Sequence, residues 1–298
     1  MKLLHTPEAR FKNLPDFPFK PNYREVDGIR IHFIDEGPKD SEVILLMHGE
    51  PSWSFLYRHM IPILLNAGYR TVAPDLVGFG RSDKPAEQSA HTYRKHVEWI
   101  TKLVKILDLK NITLFCQDWG SLIGLRVAIE NQERFDRIVL SNGGLPTGDQ
   151  KMSKEFLQWQ ESSKTRPIFS CGEIVQEATV SELTENEIKA YDAPFPDATF
   201  QAGPRIMPSL VPTTKDDPEH ENNKKAWELF FQWKKPFLTA FSDRDPITRG
   251  ANRYWQEKVP GALGQNHTII KNAGHFVQED KGFELANLIL EFISKNPL

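Results

Sequence analysis

Residues 112–125 read ITLFCQDWGSLIGL, and this stretch predicts the most distinctive feature of the fold. The apolar run 112–116 is typical of a buried strand, and residues 122–130 have the pattern of a helix. A sharp turn from strand to helix would present the side chain between them, Asp118, with the small residues Gly120 and Ser121 allowing the turn to close. An aspartate in this position could simply cap the helix, but the residues described below favour a nucleophile.

Strand and helix patterns alternate outward from this turn. Strands are expected at residues 23–26, 29–35, 43–47, 70–73, 137–140, 237–241 and 268–270, and helices at 55–67, 91–107 and 283–293. The first two strands form a hairpin that turns at Asp27-Gly28. Repeated strand–helix–strand units predict an α/β fold, with a mostly parallel central sheet and helices on both faces.

The alternation stops between residues 146 and 233. Helical pieces at 154–160 and 185–191 are separated there by several prolines: Pro167, Pro194, Pro196, Pro204, Pro208, Pro212 and Pro218. We interpret residues 146–233 as an inserted helical cap. Residues 1–145 and 234–298 would then form one discontinuous core domain.

A histidine and an aspartate follow the last two strands. His275 lies in the Gly-rich loop after strand 268–270 and is the candidate base, while His267, ahead of that strand, is the weaker choice. Asp245 is the candidate partner of this histidine, with Asp243 as the alternative. The order Asp118, Asp245, His275 is the order of nucleophile, acid and base in the α/β-hydrolase fold.

The loop Met47-His48-Gly49-Glu50-Pro51 follows strand 43–47 and is the candidate oxyanion loop. The backbone N–H groups of Glu50 and of Trp119, the residue after the nucleophile, would form the oxyanion hole. We expect a cis peptide bond at Glu50-Pro51, since X-Pro is the one common site for cis bonds.

The composition excludes several classes of function. The 298 residues carry a net charge of −3 and have 39% hydrophobic and 26% charged residues. This balance favours neither a nucleic-acid nor a membrane partner. We expect no signal peptide, a cytoplasmic location and a monomer. No His/Cys/Asp cluster has the spacing of metal ligands, so we expect neither a metal nor another cofactor.

The stretches HGEPSWSFLYR, PDLVGFGRSDKP, QDWGS and AYDAPFPD together resemble haloalkane dehalogenases with Glu after His-Gly, and the resemblance covers nearly the whole chain. It implies that Asp118 displaces halide and becomes an alkyl ester, which water activated by His275 hydrolyses to the alcohol. It also implies that halide leaves between the indole N–H groups of Trp119 and Trp159. Cys116 and Ser121 depart from the glycine or alanine that many members carry, but both remain small.

Three alternatives remain open. Epoxide hydrolases share the Asp-Trp pair but use two cap tyrosines to protonate the alkoxide, and this cap contains only Tyr191. Fluoroacetate dehalogenases use an arginine pair near the nucleophile, where only Arg126 is available. A non-catalytic binding module of the same fold would lack a reason for an intact triad.

Overall fold

The centre of the fold is an eight-stranded sheet, in a computed structural model that describes residues 1–298. The ten strands of the chain are β1 (Leu3–Leu4), β2 (Asn22–Val26), β3 (Ile29–Glu36), β4 (Val43–Met47), β5 (Arg70–Pro74), β6 (Lys84–Pro85), β7 (Ile112–Cys116), β8 (Phe135–Leu140), β9 (Phe237–Ser242) and β10 (Thr268–Ile270). The sheet order is β10-β9-β8-β7-β4-β5-β3-β2, and β3 alone runs in the direction opposite to the other seven strands. The predicted α/β class and the N-terminal hairpin are confirmed; the small pair β1–β6 was not predicted.

Strand β4 explains why the sheet is covered on both faces. Its five residues, VILLM, are all buried. Val43, Leu45 and Met47 belong to one apolar cluster, whereas Ile44 and Leu46 belong to a second one. Because successive side chains of a strand point to opposite faces, an uninterrupted apolar run is stable only between two layers of helices.

The chain has ten α-helices: α1 (Ile61–Asn66), α2 (Tyr93–Ile106), α3 (Trp119–Glu130), α4 (Lys154–Thr165), α5 (Cys171–Glu177), α6 (Glu185–Asp192), α7 (Ala202–Ile206), α8 (His220–Phe230), α9 (Ala251–Lys258) and α10 (Val277–Lys295). Helices α4–α8 all lie between β8 and β9 in the sequence, and no strand interrupts them. None of the ten helices combines the length and the apolar character that crossing a membrane requires.

The single helix expected over residues 55–67 is wrong. A short 3₁₀ turn covers Ser54–Tyr57, and α1 begins only at Ile61. Pro62 lies in the first turn of α1. Proline lacks an N–H and clashes with the preceding turn, so it is tolerated at the start of a helix but not in its interior.

Four strands of the parallel part of the sheet bring the candidate site together. Strands β4, β7, β8 and β9 are neighbours and parallel, so their carboxyl ends lie at one edge. The oxyanion loop follows β4, the Asp118 turn follows β7, and the candidate acid Asp245 follows β9. Crevices at the carboxyl ends of parallel strands are the usual location of ligand sites in open α/β sheets.

Candidate active site

Asp118 lies at the turn between β7 and α3, as the sequence predicts. Its backbone has φ 49° and ψ −131°, a region that residues with a side chain rarely adopt. Two hydrogen bonds hold this conformation. The N–H of Asp118 donates to Asn142 O (3.0 Å), and the N–H of Ser121 donates to the carbonyl oxygen of Asp118 (2.9 Å). Backbone strain of this kind persists only where the surroundings enforce it, and here it presents the carboxylate to the cavity.

Two glycines allow the oxyanion loop to approach this turn closely. A Cβ atom on Gly120 would lie 1.9 Å from Met47 O, and one on Gly49 would lie 2.3 Å from Asp118 Oδ1. Both distances are far below van der Waals contact. Substitution at either position would therefore displace the loop from the nucleophile.

The two carboxylate oxygens of Asp118 have different partners. Oδ1 accepts the backbone N–H of Glu50 at 2.7 Å, and Oδ2 lies 3.3 Å from His275 Nε2. The backbone N–H of Trp119 is the first of α3 and has no acceptor within the helix. The peptide bond Glu50-Pro51 is cis, as expected.

His275 is buried between the two aspartates. Its Nδ1 lies 3.0 Å from Asp245 Oδ2, and Asp245 also accepts from the backbone N–H of Ile247 (2.9 Å) and the hydroxyl of Thr248. The alternative acid, Asp243, accepts instead from the backbone of Ala273.

The second histidine of this region, His267, contacts Thr239 and the carbonyl of Ala262, away from Asp118. The hydroxyl of Ser121 bonds to the carbonyls of Asp118 and Gly144 rather than facing the cavity. His267 is therefore not placed to act as the base, and Ser121 is not placed to act as the nucleophile.

Charge determines the protonation of the pair His275 and Asp245. Burial alone would lower the pKa of His275, but the charges of Asp245 and Asp118 outweigh it and raise that pKa to about 10. For Asp245, burial is likewise outweighed, by His275 and by hydrogen bonds from Thr248 and Ile247, so its pKa lies below the ordinary value. With Asp118 charged, the imidazolium form of His275 is therefore favoured.

Asn142 is a residue of the site that the sequence reasoning missed. Its amide nitrogen lies within hydrogen-bond distance of the carbonyls of Gly274 and His275 (both 2.9 Å) and of Ser242 Oγ (2.8 Å). It therefore ties the histidine loop to the ends of β8 and β9. A polar residue close to the end of a buried strand was the available signal, since Asn142 follows the last residue of β8 by two positions.

The side chain of Glu50 was not expected to take part. It is buried, its Oε1 has no hydrogen-bond partner, and its Oε2 accepts the indole N–H of Trp159 at 3.2 Å. Burial and then the charge of Asp118 raise the pKa of Glu50 well above its ordinary value. Both effects favour the uncharged carboxyl.

A cavity of about 500 Å³ opens above Asp118. Trp119, Trp159 and His275 line it together with mainly apolar residues, among them Leu122, Leu145, Phe156, Ile174, Val211, Trp227, Ile247 and Trp255. The five predicted side chains that carry chemistry thus meet in one place: Asp118, Trp119, Trp159 and His275 in the cavity wall, and Asp245 directly behind His275. This combination of an apolar cavity and a few convergent polar groups is typical of a small-molecule site.

The residues on which the alternative functions depend lie elsewhere. Tyr191, the only tyrosine between residues 146 and 233, is fully buried and packs on Phe55 instead of lining the cavity. Arg126 is bound by Glu130, Glu219 and Asn223. Neither residue is free to bind a substrate above Asp118.

Comparisons with known proteins agree with this geometry. The profile of the alpha/beta hydrolase fold family matches residues 42–282. The chain is 52% identical to a haloalkane dehalogenase of Psychrobacter cryohalolentis, over 100% of both chains, and 48% identical to one of Mycolicibacterium paratuberculosis, over 98% of both. The solved tetrameric structure of haloalkane dehalogenase DpaA from Paraglaciecola agarilytica NO2 superimposes with a TM-score of 0.89 at 36% identity, covering 96% of this chain and 97% of the other.

The similarity extends over the full length of the chain, and more than half of the residues are identical to those of one relative. It therefore includes both the core strands and the helices between β8 and β9. The chain therefore belongs to the haloalkane dehalogenases, a family of hydrolases with the alpha/beta hydrolase fold.

Proposed function

We propose that this enzyme hydrolyses the carbon–halogen bond of haloalkanes through a covalent alkyl ester on Asp118. The observation that carries the proposal is the placement of the Asp118 carboxylate. It lies between an N–H donor from Glu50 and the base His275, and it faces a cavity with an apolar wall. A carboxylate in such a wall is suited to attack an sp³ carbon, and a base beside it is suited to the hydrolysis that must follow.

In the first step, Oδ2 is the attacking oxygen. Oδ1 accepts the N–H of Glu50, which leaves Oδ2, on the side of His275, as the attacking atom. As the new C–O bond forms, the C–halogen bond breaks and the halide leaves with the bonding electron pair. No proton moves in this step, so His275 is not required for it.

The leaving halide is stabilised by the indole N–H groups of Trp119 and Trp159. An indole N–H only donates, and in an apolar cavity such a donor interacts strongly with an anion. In the structure, the indole N–H of Trp159 donates to the carboxyl group of Glu50. Burial and Asp118 favour the uncharged form of Glu50, so a halide ion would be the stronger acceptor for this N–H.

In the second step, water attacks the carbonyl carbon of the Asp118 ester and His275 Nε2 takes its proton. The negative charge develops on Oδ1, where the N–H of Glu50 already points and the free N–H of Trp119 is available. Collapse expels the alkoxide, which receives the proton from His275 and leaves as the alcohol. Asp118 then loses its proton to solvent through His275, and the net products are alcohol, halide and a proton.

Halide release from a panel of chloro-, bromo- and iodoalkanes tests this proposal. The panel should include chains well beyond two carbons and branched members, because cavities of roughly 300–1,000 Å³ hold ligands of drug size. Halide and alcohol are expected in equal amounts. Hydrolysis of epoxides without hydrolysis of any haloalkane would contradict the proposal, and inactivity towards both classes would favour a binding module.

Trp119→Phe and Trp159→Phe are each expected to slow halide release without unfolding the protein. Each change removes one donor aimed at developing charge, which costs on the order of 10²-fold in rate for a comparable oxyanion-hole donor. The measurement is the rate of halide formation in a single turnover.

Trp233→Phe is the matched control. The indole N–H of Trp233 is buried without a partner, and its ring lies outside the cavity. It should release halide at the wild-type rate. A Trp159→Phe variant that also does so would mean that Trp159 only packs in the cavity wall.

Three further expectations belong to this proposal. Residues 146–233 would act as a cap that closes the cavity over Asp118, and the enzyme would work as a monomer in the cytoplasm. Both cysteines are free and buried, in keeping with a reducing compartment. Light scattering at working concentration would distinguish a monomer from a tetramer, the state named for DpaA.

A further inference from the structure

Gln117 occupies a buried position behind the base. It is the residue before Asp118 and is fully inaccessible to solvent. Its Nε2 lies 3.0 Å from His275 Nε2 and 3.2 Å from the carbonyl oxygen of His275. One amide group therefore contacts both the ring and the backbone of the same residue.

The orientation of this amide follows from its partners. The carbonyl of His275 can only accept a hydrogen bond, so the atom that faces it must be the nitrogen of Gln117. On the other side, Gln278 Nε2 donates to Gln117 Oε1 at 3.4 Å. A reversed amide would place oxygen against oxygen at His275 and nitrogen against nitrogen at Gln278.

An amide NH₂ group can only donate, so its contact with His275 Nε2 favours the form in which that nitrogen carries no proton. Two acidic groups act in the opposite direction: Asp245 at Nδ1 and Asp118 at Nε2. Asp118 loses its charge when it becomes an ester, whereas Asp245 stays ionised. At that stage His275 must be neutral to act as a base.

We propose that Gln117 is a positioning residue that holds the His275 ring and keeps its Nε2 unprotonated once the ester on Asp118 has formed. The inference rests on the proposed function, because only ester hydrolysis needs a neutral His275. The incoming water reaches Nε2 from the side of Asp118 Oδ2 and takes the lone pair of that nitrogen from the amide, which keeps its hydrogen bond to the carbonyl of His275.

Gln117→Met tests this assignment, because methionine is similar in length but has no N–H. The pH profile of ester hydrolysis is measured in single turnovers, separately from the burst of halide that reports alkylation. Without the donor, the pKa of His275 in the alkyl-enzyme rises and the profile moves to higher pH. We expect a shift of about one pH unit, which lowers the hydrolysis rate about tenfold below the midpoint. The halide burst should be unchanged, since alkylation does not use His275.

Gln278→Met is the matched control. It removes a buried amide from the same cluster but leaves the Gln117 donor in contact with His275. Its midpoint should equal that of the wild type. An equal shift of the midpoint in both variants would mean that changed packing causes it, and would overturn the assignment.

Gln117→Glu serves as a second variant if Gln117→Met does not fold. It replaces a donor with an acceptor of the same size, so its midpoint should also move to higher pH. Suppose that the wild type forms the ester but the variant that folds has an unchanged midpoint. That result contradicts the role of Gln117 and leaves the proposed function intact. A wild type that forms no ester contradicts the proposed function instead.

Discussion

His275→Phe is expected to release about one halide per active site and then stop, because alkylation of Asp118 proceeds and hydrolysis of the ester does not. Phenylalanine keeps an aromatic ring at this position but cannot take a proton from water. General bases contribute roughly 10²–10⁴-fold to such a step, so the ester should outlast the experiment. Intact mass should rise by the alkyl group, and peptide mapping should locate it on Asp118.

Two further variants make this result decisive. His275→Gln keeps a polar side chain next to the buried Asp245 and replaces His275→Phe if the latter unfolds. His267→Phe removes a nearby histidine that contacts Thr239 and Ala262 rather than Asp118, and it should turn over repeatedly. Repeated turnover by His275→Phe or by His275→Gln would show that water is activated elsewhere.

Asp245→Asn is expected to slow ester hydrolysis on the order of 10³-fold or more, while the first halide is released at the normal rate. Asp245 lowers the free energy of the imidazolium that forms when His275 accepts a proton, and it fixes the proton of the neutral ring at Nδ1. An asparagine amide can rotate to present its NH₂ group and favour the wrong tautomer.

Asp243→Asn is the matched control for that change, because Asp243 follows the same strand and contacts only backbone around Ala273. It should hydrolyse the ester at the wild-type rate. If Asp243→Asn is the slower variant, the assignment of the acid between these two positions is reversed. Burst and steady-state halide measurements on both variants decide the matter.

The sequence was informative wherever function depends on a residue next to a strand end. Asp118, Asp245 and His275 each follow a strand whose apolar run is easily recognised, and parallel strands bring their carboxyl ends to one edge. The structure places the three in contact, at 3.3 Å and 3.0 Å on the two sides of His275. The pattern of β4 likewise predicted a two-sided core.

The sequence was less informative about contacts between distant residues. The bond from Trp159 to Glu50 joins residues 109 positions apart, and the contact of Gln117 with His275 spans 158. Such pairs depend on how loops from different strands pack, which no local pattern encodes. Helix α8 was missed for a different, local reason: no side chain caps its start, and only its apolar face of Ala226, Trp227 and Phe230 indicates a helix.

The most direct test of the central claim is a single turnover of the wild-type enzyme, in excess over a haloalkane, in heavy-oxygen water. If water attacks the carbonyl carbon of the Asp118 ester, the heavy oxygen enters the carboxylate and the alcohol retains the original Asp118 oxygen. The expected products are a peptide containing Asp118 that carries one heavy oxygen and an unlabelled alcohol. A labelled alcohol with an unlabelled Asp118 would mean that water displaces the halide directly, and it would contradict the covalent mechanism.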